Sequence, residues 1–333
     1  MSKAPIAILG AGNMASALAL NLARLKRPVR LYCIEEDVEE DFRKHQQNSR
    51  YLAGYSFPKH VTTSSSIAAT LHGAEDIFIA IPSFAVEDVI LEAKPFFTKK
   101  IQSIVSVTKG LHHETLQPIV LSEAAILPVY LRKHLCTLGG PAIANELAKN
   151  SPTGFLLAGS NKATVQRVKK LLETATTKCA TSSDVLGVGL ASALKNPYAI
   201  ALGMCDGLKL PANAKSLVLT LAVEEIQHFV VASGGDGRTA FGLAGLGDLV
   251  VTGLSPSGRN RTYGELLVGA SSKKPADLEL GTVEGIPATS LAVKLARRLK
   301  IQTLLLDAVD HCLRKTHHFE QPFVHYLTHL QLS

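Results

Sequence analysis

The apolar positions along the chain change their rhythm near residue 184. Before it, short and largely apolar runs recur at Ile6 to Leu9, Val29 to Ile34, Asp76 to Ile81, Ile104 to Val107 and Gly154 to Ala158. Runs of that length, with Gly, Pro or charged residues near their ends, read as strands buried on both faces. Helical patterns such as SALALNLARL and Val165 to Thr174 separate them, and ANELAKN opens another after Pro141. Strands alternating with helices predict an α/β domain on a doubly wound parallel sheet. Asp37 to Ser66 is polar and irregular and reads as loops. Beyond Asp184 the strand signal fades and helical stretches dominate: Val185 to Asp206, Ala214 to Ser233, Tyr263 to Ala270, Ala288 to Leu299 and Leu305 to Arg314. The expected division is therefore residues 1–183, α/β, and 184–333, mainly α-helical.

The first run leads straight into a glycine turn. Gly10, Ala11, Gly12, Asn13, Met14 and Ala15 spell GxGxxA between a strand and its helix. Gly10 permits the tight turn, Gly12 lets the backbone approach a pyrophosphate, and Ala15 keeps helix and strand close, with the phosphates at the helix N-terminus. Glu35 follows the second strand, where a carboxylate can accept the hydroxyls of an adenine ribose. Strand, turn, helix, strand and acid in that order predict a Rossmann-type dinucleotide site in residues 1–183. Glu36 and Asp37 adjoin Glu35, so any of the three could take the role or be solvated.

Candidate chemistry concentrates in the helical half. Lys195 is the only charged residue between Val185 and Cys205. A buried ammonium is costly unless paired, and one so placed is a candidate general acid/base. The competing readings are a lysine snorkelling from a core helix and a membrane span, the latter opposed by Lys195, Asn196 and Pro197 at its middle. Asp248 lies in the apolar, glycine-rich FGLAGLGDLVV and needs a cation, for which Lys195 is the obvious partner. Gly258, Arg259, Asn260 and Arg261 offer a guanidinium fork suited to a phosphate. Lys109, at the end of the Ile104 strand, could meet substrate or phosphate, or be a surface lysine before a glycine turn.

Composition narrows the partners. A chain of 333 residues, 46% hydrophobic, can fill more than one core. The net charge of +7 comes from dispersed residues with 5% aromatics and no tryptophan, which suits a small phosphorylated ligand better than nucleic acid. Cys33, Cys136, Cys179, Cys205 and Cys312 are scattered and never form CxxC, so reduced thiols are expected rather than disulfides or zinc. The adjacent pairs His112 and His113, and His317 and His318, would point apart on a helix, so no metal is expected. Ile6 onward has no signal-peptide order, which makes the cytoplasm the expected compartment. A homodimer is the default assembly.

The segments GAGNMASALA, Ile81-Pro82-Ser83, Thr108-Lys109-Gly110, GGPAIANELAKNSPTG, SALKN, GMCDG, GLAGLGDL, GRNRTYG and Val283-Glu284-Gly285 together resemble the NAD(P)-dependent glycerol-3-phosphate dehydrogenase family, bacterial type, over nearly the whole chain. The resemblance implies reversible hydride transfer between NAD(P)H and dihydroxyacetone phosphate, giving sn-glycerol 3-phosphate for glycerophospholipid supply. It implies Lys195 as the acid/base, Asp248 in the active site, Lys109 touching substrate and cofactor, and Arg259 with Asn260 on the substrate phosphate, Arg259 also near the cofactor. Gly140, Ala142 and Gly258 fall at substrate-contact positions. Asn13, Met14, Ala144, Val283 and Glu284 fall at cofactor-contact positions beside Gly10, Gly12, Ala15 and Glu35.

Some residues depart from the family pattern. Met14, Ala15 and Ser16 stand where an aromatic, a glycine and a threonine are usual; Ala142 replaces a hydroxyl residue, Ile143 an aromatic, Gly258 a serine and Pro197 a β-branched residue. Each of two lost hydroxyls removes a contact of about 1 kcal/mol. Ile34 stands where bacterial members often carry a basic residue for a 2′-phosphate, which with Glu35 leans the expectation to NADH over NADPH. Two alternatives stay open. One is a related reductase on another small substrate, since GAGNMA also resembles the start of pyrroline-5-carboxylate reductases and Lys-Asn resembles β-hydroxyacid dehydrogenases. The other is a non-catalytic nucleotide-binding paralogue.

Overall fold

The strand that starts the chain is buried on both of its faces. Ile6 and Ile8 of β1 (Ile6–Leu9) enter one apolar core while Ala7 and Leu9 enter another, as the alternating side chains of a strand covered on both sides must. β1 belongs to an eight-stranded sheet with β2 (Val29–Tyr32), β3 (Val61–Ser64), β4 (Asp76–Ile79), β5 (Ser103–Ser106), β6 (Leu135–Gly139), β7 (Thr153–Gly159) and β8 (Thr177–Ser182), in the order β3-β2-β1-β4-β5-β6-β7-β8. The helices of this part are α1 (Asn13–Ala23), α2 (Glu36–His45), α3 (Ile67–Leu71), α4 (Val86–Ala93), α5 (Ile119–Ile126), α6 (Val129–Arg132), α7 (Ala144–Ala148) and α8 (Lys162–Leu172). The order reverses between β1 and β4, the switch point outside which ligands bind in such sheets.

This computed structural model describes residues 3–256, 258–268, 274–278, 280–314 and 320–329; His317 and His318 lie outside them. The chain forms two compact units, 1–112 with 118–185, and 113–117 with 186–333. The doubly wound sheet is as expected, with two differences. β7 runs antiparallel to β6, and Asp37 to Ser66 holds α2 and β3 where loops are expected. α2 has only Val38 and Phe42 buried, and β3 only Val61. One apolar pair at i, i+4 and one residue on an edge strand are too little periodicity to read.

A buried charge cluster stands at the amino end of the sheet. The Asp76 carboxylate accepts hydrogen bonds from Arg27 Nη2 at 2.7 Å, Arg167 Nε at 2.6 Å and Ser103 Oγ at 2.8 Å. Burial pushes its pKa up, but the bonds from Arg167, Ser103 and Arg27 outweigh that and hold it below the ordinary 3.8. An acid lowered in the folded state stabilises the fold above its unfolded pKa, and that contribution is lost as pH falls through the folded value. Asp76→Asn should therefore lose about 3 kcal/mol at pH 7, with the gap to wild type closing in urea unfolding below pH 4.

The second unit contains α9 (Val185–Gly207), α10 (Ala212–Ala232), α11 (Asp248–Leu254), α12 (Arg259–Leu267), α13 (Gly285–Leu299), α14 (Leu304–Arg314) and α15 (Glu320–Thr328). α9 is apolar and long enough to cross a membrane, yet 89% of its most apolar window is buried inside the fold; it is a core helix. α9 and α12 touch backbone to backbone. A Cβ on Gly203 would overlap the Arg261 carbonyl oxygen, and one on Gly264 the Ile200 carbonyl oxygen, so only glycine permits this crossing. Glu225 of α10 ties α9 to α14: its carboxylate accepts from Tyr198 Oη at 2.8 Å and from the backbone N–H groups of Leu305 at 2.7 Å and Leu306 at 3.0 Å. Burial pushes its pKa up to about 7 against those donors.

Candidate active site

In the first unit the expected dinucleotide residues gather at the carboxyl edge of the sheet. Gly10 has φ +115°, and a Cβ there would lie 2.5 Å from the Ala80 carbonyl oxygen, so the chain can turn beside β4 only with glycine. At Gly12, by contrast, no atom stands within 4 Å of where a Cβ would be. α1 begins there without a capping side chain or an acidic residue in its first turn, leaving backbone donors and the positive helix end for a pyrophosphate. Met14 is half-buried against the core, Ala15 is buried, and Asn13 is exposed. These residues fit a dinucleotide.

Around that turn, Ile34 after β2 and Phe84 after β4 are 70% and 78% exposed. β2 and β4 flank β1, so each of these exposed apolar residues follows a strand next to the one that ends in the glycine turn. Phe84 escapes a sequence reading because exposure, not residue type, marks it. Lys109 is half-buried in the turn after β5. Thr108 Oγ1 donates to the Ile81 carbonyl at 2.8 Å, and a Cβ on Gly110 would come within 2.9 Å of Ser83 Cβ, which fixes the Lys109 turn against the Pro82-Ser83 turn. Ala142 and Ala144 pack on the same core as Met14. Gly140, with φ +122°, lies against the Gly154 carbonyl of β7.

In the second unit the expected ion pair is present. Lys195 Nζ donates to Asp248 Oδ1, and also to Thr252 Oγ1 at 2.7 Å. Lys195 is 8% exposed and Asp248 0%. A π-helical turn, Leu243–Gly247, leads into α11 and aims Asp248 at the middle of α9. Thr252, four residues on, shares that helix face; its spacing from Asp248 was the available signal for a residue the sequence reading passed over. Next to Lys195, Asn196 Oδ1 accepts from Asn260 Nδ2 at 2.9 Å, and Asn260 Oδ1 accepts the Gly285 N–H at 2.9 Å. Asn260 thus joins α9, α12 and the start of α13 and keeps one amide N–H for a ligand.

Arg259 opens α12 with an exposed guanidinium whose Nη1 lies 3.9 Å from the Cβ position of Gly281. Val283 is buried and Glu284 precedes the first turn of α13. Gly258 is packed: a Cβ there would overlap the Thr252 carbonyl, so this turn has closed where a serine would need more room. The unit therefore brings Lys195, Asp248, Thr252, Asn196 and Asn260 together, with Arg259 beside Asn260 in sequence. Lys109, Gly140, Ala142 and Ala144 belong to the first unit. Among the described residues no group of His, Cys, Asp and Glu could hold a metal ion; His112 instead lies 3.3 Å from Glu87 and His113 3.8 Å from Glu114.

One unit carries a glycine turn that fits a dinucleotide and the other a buried ammonium paired with a carboxylate, features that suit a nicotinamide-dependent oxidoreductase acting on a CH–OH group. Residues 5–165 match the family profile described as NAD-dependent glycerol-3-phosphate dehydrogenase N-terminus, and residues 184–323 match its C-terminus. The chain is 36% identical over 316 residues, 94% of its own length and 93% of the relative's, to glycerol-3-phosphate dehydrogenase [NAD(P)+] of Coxiella burnetii (strain RSA 331 / Henzerling II). The same protein name is carried by an Anaeromyxobacter dehalogenans relative 36% identical over 303 residues, 91% of each chain. A crystal structure of glycerol-3-phosphate dehydrogenase from Coxiella burnetii superposes with a TM-score of 0.89 at 35% identity, covering 97% of this chain and 98% of that one. The chain belongs to the NAD-dependent glycerol-3-phosphate dehydrogenase family.

Proposed function

We propose that this chain interconverts dihydroxyacetone phosphate and sn-glycerol 3-phosphate with NAD(P)H, in the cytoplasm, for glycerophospholipid supply. The observation that carries the reading is the Lys195 ammonium, buried in mid-helix and held by Asp248 and Thr252. When bound, the reduced coenzyme supplies the hydride that adds to C2 of the substrate. Lys195 Nζ gives its proton to the carbonyl oxygen as that bond forms and takes it back in the oxidative direction. Asp248 and Thr252 accept from the ammonium and so fix the position of Nζ. Arg259, with the remaining N–H of Asn260, holds the phosphate, and Lys109 adds a second cation for substrate and coenzyme. Gly12 and the start of α1 receive the pyrophosphate, and Glu35 the adenine ribose.

The departures at Ala142 and Gly258 leave Lys195, Asp248 and Arg259 in place, which favours an active enzyme over a non-catalytic paralogue. The test is oxidation of NADH and of NADPH by the purified chain with dihydroxyacetone phosphate and with dihydroxyacetone. Strong preference for the phosphorylated ketone supports the reading, and no oxidation of either coenzyme refutes it. Arg259→Ala should raise KM for dihydroxyacetone phosphate by about 100-fold, the loss of a charge-assisted contact, while turnover of unphosphorylated dihydroxyacetone changes little. A preference for phosphate that survives the substitution would show that Arg259 does not hold it.

A further inference from the structure

The segment from Gln46 to Phe57, polar and without an evident role in the sequence, is folded onto both halves of the dinucleotide site. Asn48 is completely buried, and its Nδ2 donates to the Ala11 carbonyl inside the glycine turn at 2.8 Å and to Ser16 Oγ at 2.9 Å. Its Oδ1 accepts the Tyr51 backbone N–H at 3.2 Å. Tyr51 Oη in turn donates to Glu35 Oε1 at 2.8 Å. Cys33 Sγ lies 3.3 Å from Glu35 Oε2; burial pushes this thiol up to about 12, so it remains protonated and donates. The outer face of the Tyr51 ring is covered by the Arg50 guanidinium, whose Cζ is 5.2 Å from the ring centroid and whose Nη1 is 3.0 Å from Asp37 Oδ1.

We infer that Asn48 and Tyr51 are positioning residues for the coenzyme, joining the glycine turn to Glu35 so that Tyr51, through its hydroxyl, sets the choice between NADH and NADPH. The inference rests on the dinucleotide reading of the first unit. A carboxylate on a flexible side chain at a strand end would rotate into water. Two donors, one on each oxygen, hold this one in a single orientation while leaving each oxygen a lone pair for a ribose hydroxyl. An anion fixed at the ribose repels a 2′-phosphate. Removing the Tyr51 hydroxyl takes away the stronger of the two donors and leaves the Cys33 thiol, a weak one, which loosens the Glu35 carboxylate. The 2′-hydroxyl then loses an oriented acceptor, and a 2′-phosphate loses a fixed opponent, so the two coenzymes respond differently.

The experiment measures binding rather than turnover, by calorimetric titration of the full chain with NADH and NADPH. Tyr51→Phe keeps the ring, its packing and the Arg50 stack. It should weaken NADH binding by about five- to tenfold, as for one hydrogen bond to a charged group, and leave NADPH within about twofold. In a Glu35→Ala background the same substitution should change neither coenzyme, because the residue it acts through is gone. Equal weakening of both coenzymes, or a Tyr51 effect undiminished without Glu35, would overturn the inference while leaving the dinucleotide site standing. A wild-type chain that binds neither coenzyme would overturn both.

Discussion

Lys195→Ala should reduce turnover of dihydroxyacetone phosphate by about 10³-fold or more while KM rises only a few fold. Positioned proton transfer contributes roughly 10² to 10⁴ to rate, and Lys195 is the one cationic acid among the described residues of this cluster: Thr252 is a neutral hydroxyl, Asp248 accepts from the ammonium, and Asn196 and Asn260 are neutral amides bound to each other. Lys195→Arg should not restore the rate, because guanidinium releases its proton poorly and its planar fork cannot meet the two acceptors from the same backbone position. Steady-state kinetics with coenzyme at saturation separate the two parameters. A variant retaining a tenth of the wild-type turnover would remove Lys195 from the chemistry.

Asp248→Ala should be the more damaging change to the fold, costing about 3 to 5 kcal/mol in urea unfolding. The carboxylate is fully buried and the ammonium nearly so, so deleting Asp248 leaves a desolvated ammonium that has lost this counter-charge. The double variant Lys195→Met with Asp248→Leu should recover most of that loss, since the protein then buries apolar surface in place of two ions, and it should be inactive. Recovery of stability without activity would show that the pair is kept for chemistry. A double variant as unstable as Asp248→Ala would instead make the pair a structural requirement.

Much of this was legible in the chain because the physics is local. β1, its glycine turn and α1 follow from an apolar run and two glycines, and the Lys195–Asp248 pair from the cost of isolated charges in apolar segments. The direction of β7 is not written in its residues. Only the short α7 separates it from β6, and strand orientation is a property of the connection. The reason for Gly203 and Gly264 was hidden too, since each answers to a carbonyl distant in sequence. Tyr51 and Asn48 were illegible for the same cause: their partners, Glu35, Ala11 and Ser16, lie in other elements, and a single Tyr or Asn in a polar stretch carries no periodic signal.

The placement of Lys195 also bears on how this protein can fail. The helix that carries it is clamped on several sides within a few turns, by the backbone crossing at Gly203 and Gly264, by Tyr198 on Glu225, and by Asn196 on Asn260. None of these restraints is a surface loop that could loosen by itself. Lys195 therefore sits on a helix tied at each of these points, and heat or denaturant that displaces the helix has to break them. Under the role proposed for Lys195, inactivation and loss of structure are expected as one event in this half of the chain, and an assay of activity then doubles as a thermometer of its core.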